Sequence, residues 1–216
     1  MLDKSIPYNH MIMKMRLGRL ACLEEPATAP GYSLRFFKDG DEQHWARLEA
    51  SVLEFADEEK ALAYFTENYS GPYREELYRR CVFAVDENDV PVATATGWFM
   101  DSSMGRNRWL QWISTDPAHQ GKGLGRAVIT KALLTYRENG PEGDIFLHTQ
   151  TWSHKAAYLY HKVGFNLFII SHLEVPNPKG PEPLIMHNEP GEALRTLRQV
   201  YSPELIQELR DSAEWP

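Results

Sequence analysis

Residues Gln120 to Arg126 read Gln-Gly-Lys-Gly-Leu-Gly-Arg, a glycine-dense stretch between a strand-like run and a helix-like run. Upstream, Trp109-Leu110-Gln111-Trp112-Ile113-Ser114-Thr115 is rich in aromatic and β-branched residues and stops at Asp116-Pro117, whose proline cannot donate to a sheet ladder. Downstream, Leu124, Ala127, Val128 and Ala132 recur at helical spacing. The chain must therefore turn from strand to helix within these seven residues. A helix that starts there has first-turn N–H groups without internal partners and a positive dipole end, so it favours an anion such as phosphate. Glycines allow close approach and positive φ.

Spacing removes two phosphate-loop readings. A Walker loop needs Ser or Thr after its Gly-Lys, and Lys122 is followed by Gly123; a dinucleotide fingerprint needs its third glycine where Arg126 stands. What remains is Q-x-x-G-x-G, carried by Gln120, Gly123 and Gly125. A tight turn without a ligand would use the same glycines.

At 216 residues and 43% apolar composition, the chain can build one sizeable core. Its 30 acidic and 23 basic residues give a formal charge of −7, which leaves no broad basic face for nucleic acid. Cys22 and Cys81 provide neither metal spacing nor a disulfide framework and suit a reducing compartment. No apolar run approaches the roughly 20 residues of a membrane span, and the start, Met1-Leu2-Asp3-Lys4, is unlike a signal peptide. A cytoplasmic protein without membrane or nucleic-acid partners is expected.

Along the chain, Met11–Met15 is a strand candidate within an extension over residues 1–30. Tyr32–Phe36 predicts a strand, and Asp39-Gly40-Asp41-Glu42 opens a helix with Trp45, Leu48, Val52 and Phe55 inward. Helices are expected over 58–68 and around 73–80, then a hairpin from Cys81–Val85 through Asp86–Asp89 to Val90–Phe99. Asp101–Asn107 reads as a polar loop. After the glycine loop the helix runs to about Arg137 and is closed by Asn139-Gly140. Ile145–Thr151 is another apolar strand, parallel to 109–115 through a right-handed crossover. Ser153 then caps a helix through Ala156, Leu159, Tyr160 and Val163, ending at Gly164, and Phe165–Ser171 is a further strand. Residues 172–191 read as irregular, with a short strand at 184–186, and helical spacing returns over 193–200 and 203–209.

The segment Ser153-x-x-Ala156-x-x-Leu159-Tyr160-x-x-Val163-Gly164-Phe165 and the Q-x-x-G-x-G hexad resemble two motifs of the GNAT acetyltransferase superfamily, in that family's order. The resemblance covers residues 32 to 171, and Ser153 stands where the family usually has asparagine. It implies an α/β (α+β) domain over 31–171: a mixed, mostly antiparallel sheet flanked by helices, with a splayed central parallel strand pair. A tail over 172–216, with a proline-rich segment and terminal helices, would pack on the same domain.

The resemblance further implies an N-acetyltransferase that moves an acetyl group from acetyl-CoA directly to a primary amine of a small molecule or peptide, without a metal. Gln120, Gly121, Lys122, Gly123, Leu124, Gly125 and Arg126 would hold the pyrophosphate, with Ile113, Ser114 and Thr115 lending backbone to the pantetheine arm, and Ser153 and Tyr160 adding contacts. Tyr160 resembles the family's general acid for the departing thiolate.

For the base, His148 has the right intrinsic pKa, while Gln111 and Ser114 could orient water. His154 and His161 are seven apart on a helix but lack a third metal ligand. Trp98, Phe99, Met100, Glu54, Asp57, Tyr64 and Tyr69 hint at an acceptor pocket for a cationic amine. An acyl-CoA-binding regulatory or interaction module without turnover stays open, as does a homodimer.

Overall fold

The computed structural model describes residues 2–69, 71–138 and 143–216. In chain order its elements are β1 (His10–Met15), β2 (Ser33–Phe36), α1 (Asp41–Ser51), α2 (Glu58–Tyr69), α3 (Arg74–Arg80), β3 (Cys81–Val85), β4 (Pro91–Ser102), β5 (Gly105–Thr115) and α4 (Leu124–Leu134). These are followed by β6 (Ile145–Gln150), α5 (His154–Val163), β7 (Asn166–Leu167), β8 (His172–Val175), β9 (Leu184–His187), α6 (Pro190–Leu197) and α7 (Pro203–Asp211). Together they form a mixed α/β fold with a mostly antiparallel sheet flanked by helices. No helix among the described residues is long and apolar enough to cross a membrane.

Two compact units divide the chain, and β4 and β5 each contribute to both. The first unit comprises 22–98 and 110–139. In it β2, β3 and β4 pair antiparallel in that order. Helices α1 and α2 bury Trp45, Leu48, Ala61, Phe65 and Tyr69 against Phe83 and Val85 of β3, the apolar burial that dominates a domain's stability. Helix α4 lies over β4 at Gly97, where an added Cβ would stand 2.8 Å from the Ala132 carbonyl oxygen and 2.9 Å from Thr135 Oγ1. Glycine is required for that close approach.

The second unit comprises 2–21, 99–109 and 140–216. Here β5 meets β6 in parallel through Arg108–Ile145 and Trp109–Phe146, although β5 runs on to Thr115 and β6 to Gln150. Strand β1 pairs antiparallel with β6 and with β7. The core around Ile12, Trp109, Phe146, Phe168 and Leu173 is apolar. Arg16 grips Glu214 with Nε and Nη2 at 2.7–2.9 Å, tying the two ends of the chain together within this unit.

Several expectations need correction. The polar segment expected as a loop over 101–107 is mostly strand: β4 continues to Ser102 and β5 starts at Gly105, so only Ser103 and Met104 make the turn. Gly105 at φ 83° permits that tight reversal. Helix α1 ends at Ser51, before Phe55, because Leu53 takes φ 70°. Phe55 nonetheless packs against Trp45. Of the strand expected over 165–171, Asn166–Leu167 pair with β1 and Phe168 makes a single parallel bridge to Glu214. Residues 172–191 are less irregular than their prolines suggest, since β8 and β9 form an antiparallel ladder from His172–His187 to Val175–Leu184. The Asn139-Gly140 helix closure lies outside the described residues.

Candidate functional site

In the first unit, the glycine loop adopts the expected conformation. Gly121 and Gly123 both have φ 78°, and Gly123 is the N-cap of α4. A Cβ on either would meet nothing within 4 Å, so backbone conformation rather than crowding selects glycine. The first helical bond runs from Ala127 N–H to the Gly123 carbonyl at 3.0 Å, leaving the N–H groups of Leu124, Gly125 and Arg126 without helical partners. This cradle suits a phosphate. Gln120 donates from Nε2 to the Thr115 carbonyl at 3.0 Å, closing the loop onto the end of β5. Lys122 donates to the Tyr32 hydroxyl at 2.8 Å, Tyr32 also meets His119 at 3.0 Å, and Arg126 is exposed.

The end of β5 is irregular at the point that matters. Trp112 takes φ 51°, a sparsely populated conformation for a bulky residue. Its ring is enclosed by Trp45 at 5.4 Å, Phe55 at 5.3 Å and Tyr64 at 4.9 Å between centroids, which holds the backbone there. The inside-outside alternation slips at this point, so Gln111, Trp112 and Ile113 are all half-buried before Ser114 is fully buried and Thr115 half-buried. Asp116 accepts from Ala118 N–H and pairs with Arg47 of α1 at 2.8 Å, anchoring the strand end to that helix.

Facing Ser114 is a residue the sequence expectations did not single out. Glu49 of α1 is 1% exposed, and its Oε1 completes no hydrogen bond among the described residues; the same holds for Ser114 Oγ. Burial pushes the Glu49 pKa from 4.5 up to about 8, opposed by the nearby Ser114 hydroxyl and assisted by Glu54. A signal was available: Glu49 interrupts the apolar stripe Trp45, Leu48, Val52 at helical spacing. Close by, the Tyr69 hydroxyl donates to Gln111 Oε1 at 3.1 Å, and burial holds the Tyr69 pKa well above that of an ordinary phenol. Asp57 accepts from Lys60 N–H at 2.8 Å and so organises the start of α2.

In the second unit, Tyr160 is buried on α5 with its ring against Phe165, and its carbonyl accepts from the N–H groups of Gly164 and Phe165. Ser153 stands at the N-cap of α5, but its hydroxyl does not cap the helix; its own N–H donates to Gln150 Oε1 at 2.8 Å.

His148 Nε2 lies 3.2 Å from His10 Nδ1, with the rings stacked at 5.2 Å. Desolvation, then the neighbouring His10, lowers its pKa, although the ring keeps an exposed face. His154 and His161 do not act together: the first reaches Asp3 at 3.3 Å and the second Glu208 at 3.0 Å. Met100 packs into the apolar core, and Phe99 lies under the Arg106 guanidinium at 4.1 Å.

Comparison with known proteins agrees with this architecture. The sequence model of the Acetyltransferase (GNAT) family matches residues 41–165. A GCN5-related N-acetyltransferase from Sphaerobacter thermophilus shares the fold at TM-score 0.57 and 18% identity, over 75% of this chain and 49% of that one. A GNAT-family acetyltransferase from Colwellia psychrerythraea gives 0.55 and 10%, over 77% and 55%. Salmonella typhimurium yncA, whose structure holds its cofactor acetyl-CoA, gives 0.50 and 20%, over 72% and 91%. This chain thus spans about half the length of the Sphaerobacter protein. No curated protein sequence matches it.

Proposed function

The chain belongs to the acetyltransferase (GNAT) family, and on that premise we propose that it transfers an acetyl group from acetyl-CoA directly to a primary amine of a small molecule or peptide. The observation that carries this reading is the loop at the start of α4, with two left-handed glycines and first-turn amides that have no helical partner among the described residues. Those groups, from Gln120 to Arg126, fit a pyrophosphate, with the Lys122 and Arg126 charges adding attraction. Backbone at Ile113, Ser114 and Thr115 is the proposed partner of the pantetheine arm, and the turn at Trp112 re-aims it.

Tyr160 is proposed to protonate the departing thiolate, and Ser153 to contact the arm. A phenol of pKa about 10 facing a thiol of about 8.5 leaves a small thermodynamic step, so positioning decides its value. His148 is the base that intrinsic pKa brings forward; held below its ordinary value, it is neutral at pH 7 and a weak proton acceptor. Two free cysteines, Cys22 exposed and Cys81 buried, support a reducing, cytoplasmic setting.

Two experiments test the proposal. Acetyl-CoA should raise the melting temperature, and a panel of amines should release free coenzyme A; Gly123→Val, which forces a β-branched residue to positive φ at a cost of about 1–2 kcal/mol, should abolish most of the coenzyme-induced shift. No shift at millimolar acetyl-CoA in the native protein would refute the reading, whereas binding without turnover on any amine would point to a regulatory module. Tyr160→Phe should lower kcat about 10- to 100-fold with little change in acetyl-CoA binding, and unchanged turnover would remove its acid role.

A further inference from the structure

A primary amine arrives as an ammonium ion and must lose a proton before it can attack a thioester. An unperturbed amine of pKa about 10.4 is neutral in only about one molecule in 2,500 at pH 7, so a transferase gains from a proton acceptor matched to it. In the first unit, Glu49 and Ser114 are both buried to within 3% exposure, side by side, each with an oxygen that completes no hydrogen bond among the described residues. Unsatisfied buried polar atoms are costly, and these two lie near enough for the Ser114 hydroxyl to favour the Glu49 carboxylate. They lie where β5 ends: Ser114 is two residues beyond the left-handed Trp112, and Arg47 two residues before Glu49 pairs with Asp116 two residues beyond Ser114.

We propose that Glu49 is the proton acceptor for the amine, acting through the Ser114 hydroxyl. The proposal rests on the acetyl-transfer reading and names the base that reading lacks. The ammonium gives one proton to Ser114 Oγ while the Ser114 proton moves to the Glu49 carboxylate. The neutral amine then forms the C–N bond to the acyl carbonyl, and the C–S bond breaks with its electron pair on sulfur. Tyr160 gives that sulfur its phenolic proton and regains one from water; the second amine proton and the one on Glu49 return to water. Glu49 is a positioning residue in this scheme, since Ser114 stands between it and the amine.

The environment is suited to the task. An ordinary carboxylate is about a million-fold too weak a base for an alkylammonium, and a pKa of about 8 reduces that gap to a few hundred-fold. The titratable groups facing Glu49 are Glu54 beyond its own helix, Tyr69 from α2 and Cys81 from β3, with the Ser114 hydroxyl from β5. Cys81 is held up at about 12 by burial and Tyr69 well above 10, so neither titrates near neutrality. Glu54 adds negative charge that raises the Glu49 pKa and attracts a cation.

The test is the pH profile of kcat/KM for two amines of different pKa, measured on the native chain, Glu49→Gln and Ser114→Ala. The native protein should show an inflection near pH 8 that does not move between amines. In Glu49→Gln it should vanish, leaving a rise that follows each amine's own ionisation, with kcat at pH 8.5 down at least about tenfold while the acetyl-CoA-induced melting shift is retained. In Ser114→Ala the inflection should move to higher pH, because the hydroxyl favours the carboxylate, and this variant decides the matter should Glu49→Gln not fold. An unmoved inflection in either folded variant overturns the proposal. A native chain that binds acetyl-CoA but acetylates no amine would sink the underlying transfer reading instead.

Discussion

Glu49 in the first unit and His148 in the second are pushed by the same force toward their uncharged forms, with opposite results. For a carboxyl the uncharged form is protonated, so desolvation carries Glu49 up to about 8, into the working range of a base. For an imidazole it is deprotonated, so the same loss of solvent, reinforced by His10, takes His148 out of that range. The residue whose intrinsic pKa looks right is made a poor base, and the one whose intrinsic pKa looks wrong is made a good one. Surroundings, not residue type, assign the role.

The largest effect expected to expose this contrast is on stability. Glu49 has a folded pKa above its unfolded value of 4.5, so its contribution is fully present below pH 4.5 and is lost as pH rises through about 8. Denaturant unfolding between pH 5 and 9 should show the native chain losing about 4 kcal/mol relative to Glu49→Gln. Equal curves for the two proteins would show that Glu49 is not protonated in the fold.

Next comes turnover: His148→Gln should keep kcat within about threefold of the native value, against the tenfold or greater loss on removing Glu49. A larger loss at His148 would reverse the assignment. The smallest effect lies on the acid side. His148 has a folded pKa below its unfolded value of 6.5, so its contribution is present above pH 6.5 and lost as pH falls through the lowered folded value. Because the ring is exposed, His148→Gln should relieve less than about 1 kcal/mol of that acid loss.

The two strand-to-helix turns make a second contrast. At α4, glycines leave the first-turn amides without helical partners among the described residues; ahead of α5, Gln150 Oε1 takes the Ser153 N–H and caps the short turn Thr151–Ser153 that leads into that helix. Both turns are legible in sequence as positions, Gly123 and Ser153. Only the first was legible as chemistry, since the group that the Ser153 N–H meets is a side chain three residues upstream.

Local patterns of the sequence determined much of the framework. The 3.6-residue spacing of Leu124, Ala127, Val128 and Ala132 became α4, the β-branched and aromatic run before it became β5, and the two glycines took positive φ. These follow from neighbours along the chain, where sterics and periodicity act directly. Pairing partners were not legible in this way: β8 and β9 find each other across a proline-rich stretch, β1 joins β6, and Ser102 and Gly105 extend strands into an expected loop. Long-range hydrogen bonding and apolar burial chose those outcomes over local propensity.

The proton chemistry divides along the same line. That residue 49 is a glutamate on an otherwise apolar stripe is written in the sequence. That it faces Ser114 from 65 positions away, buried with no hydrogen bond to Oε1 among the described residues, was decided only by the packing of α1 against the end of β5, because a pKa depends on the solvent and charges that the fold leaves around a group.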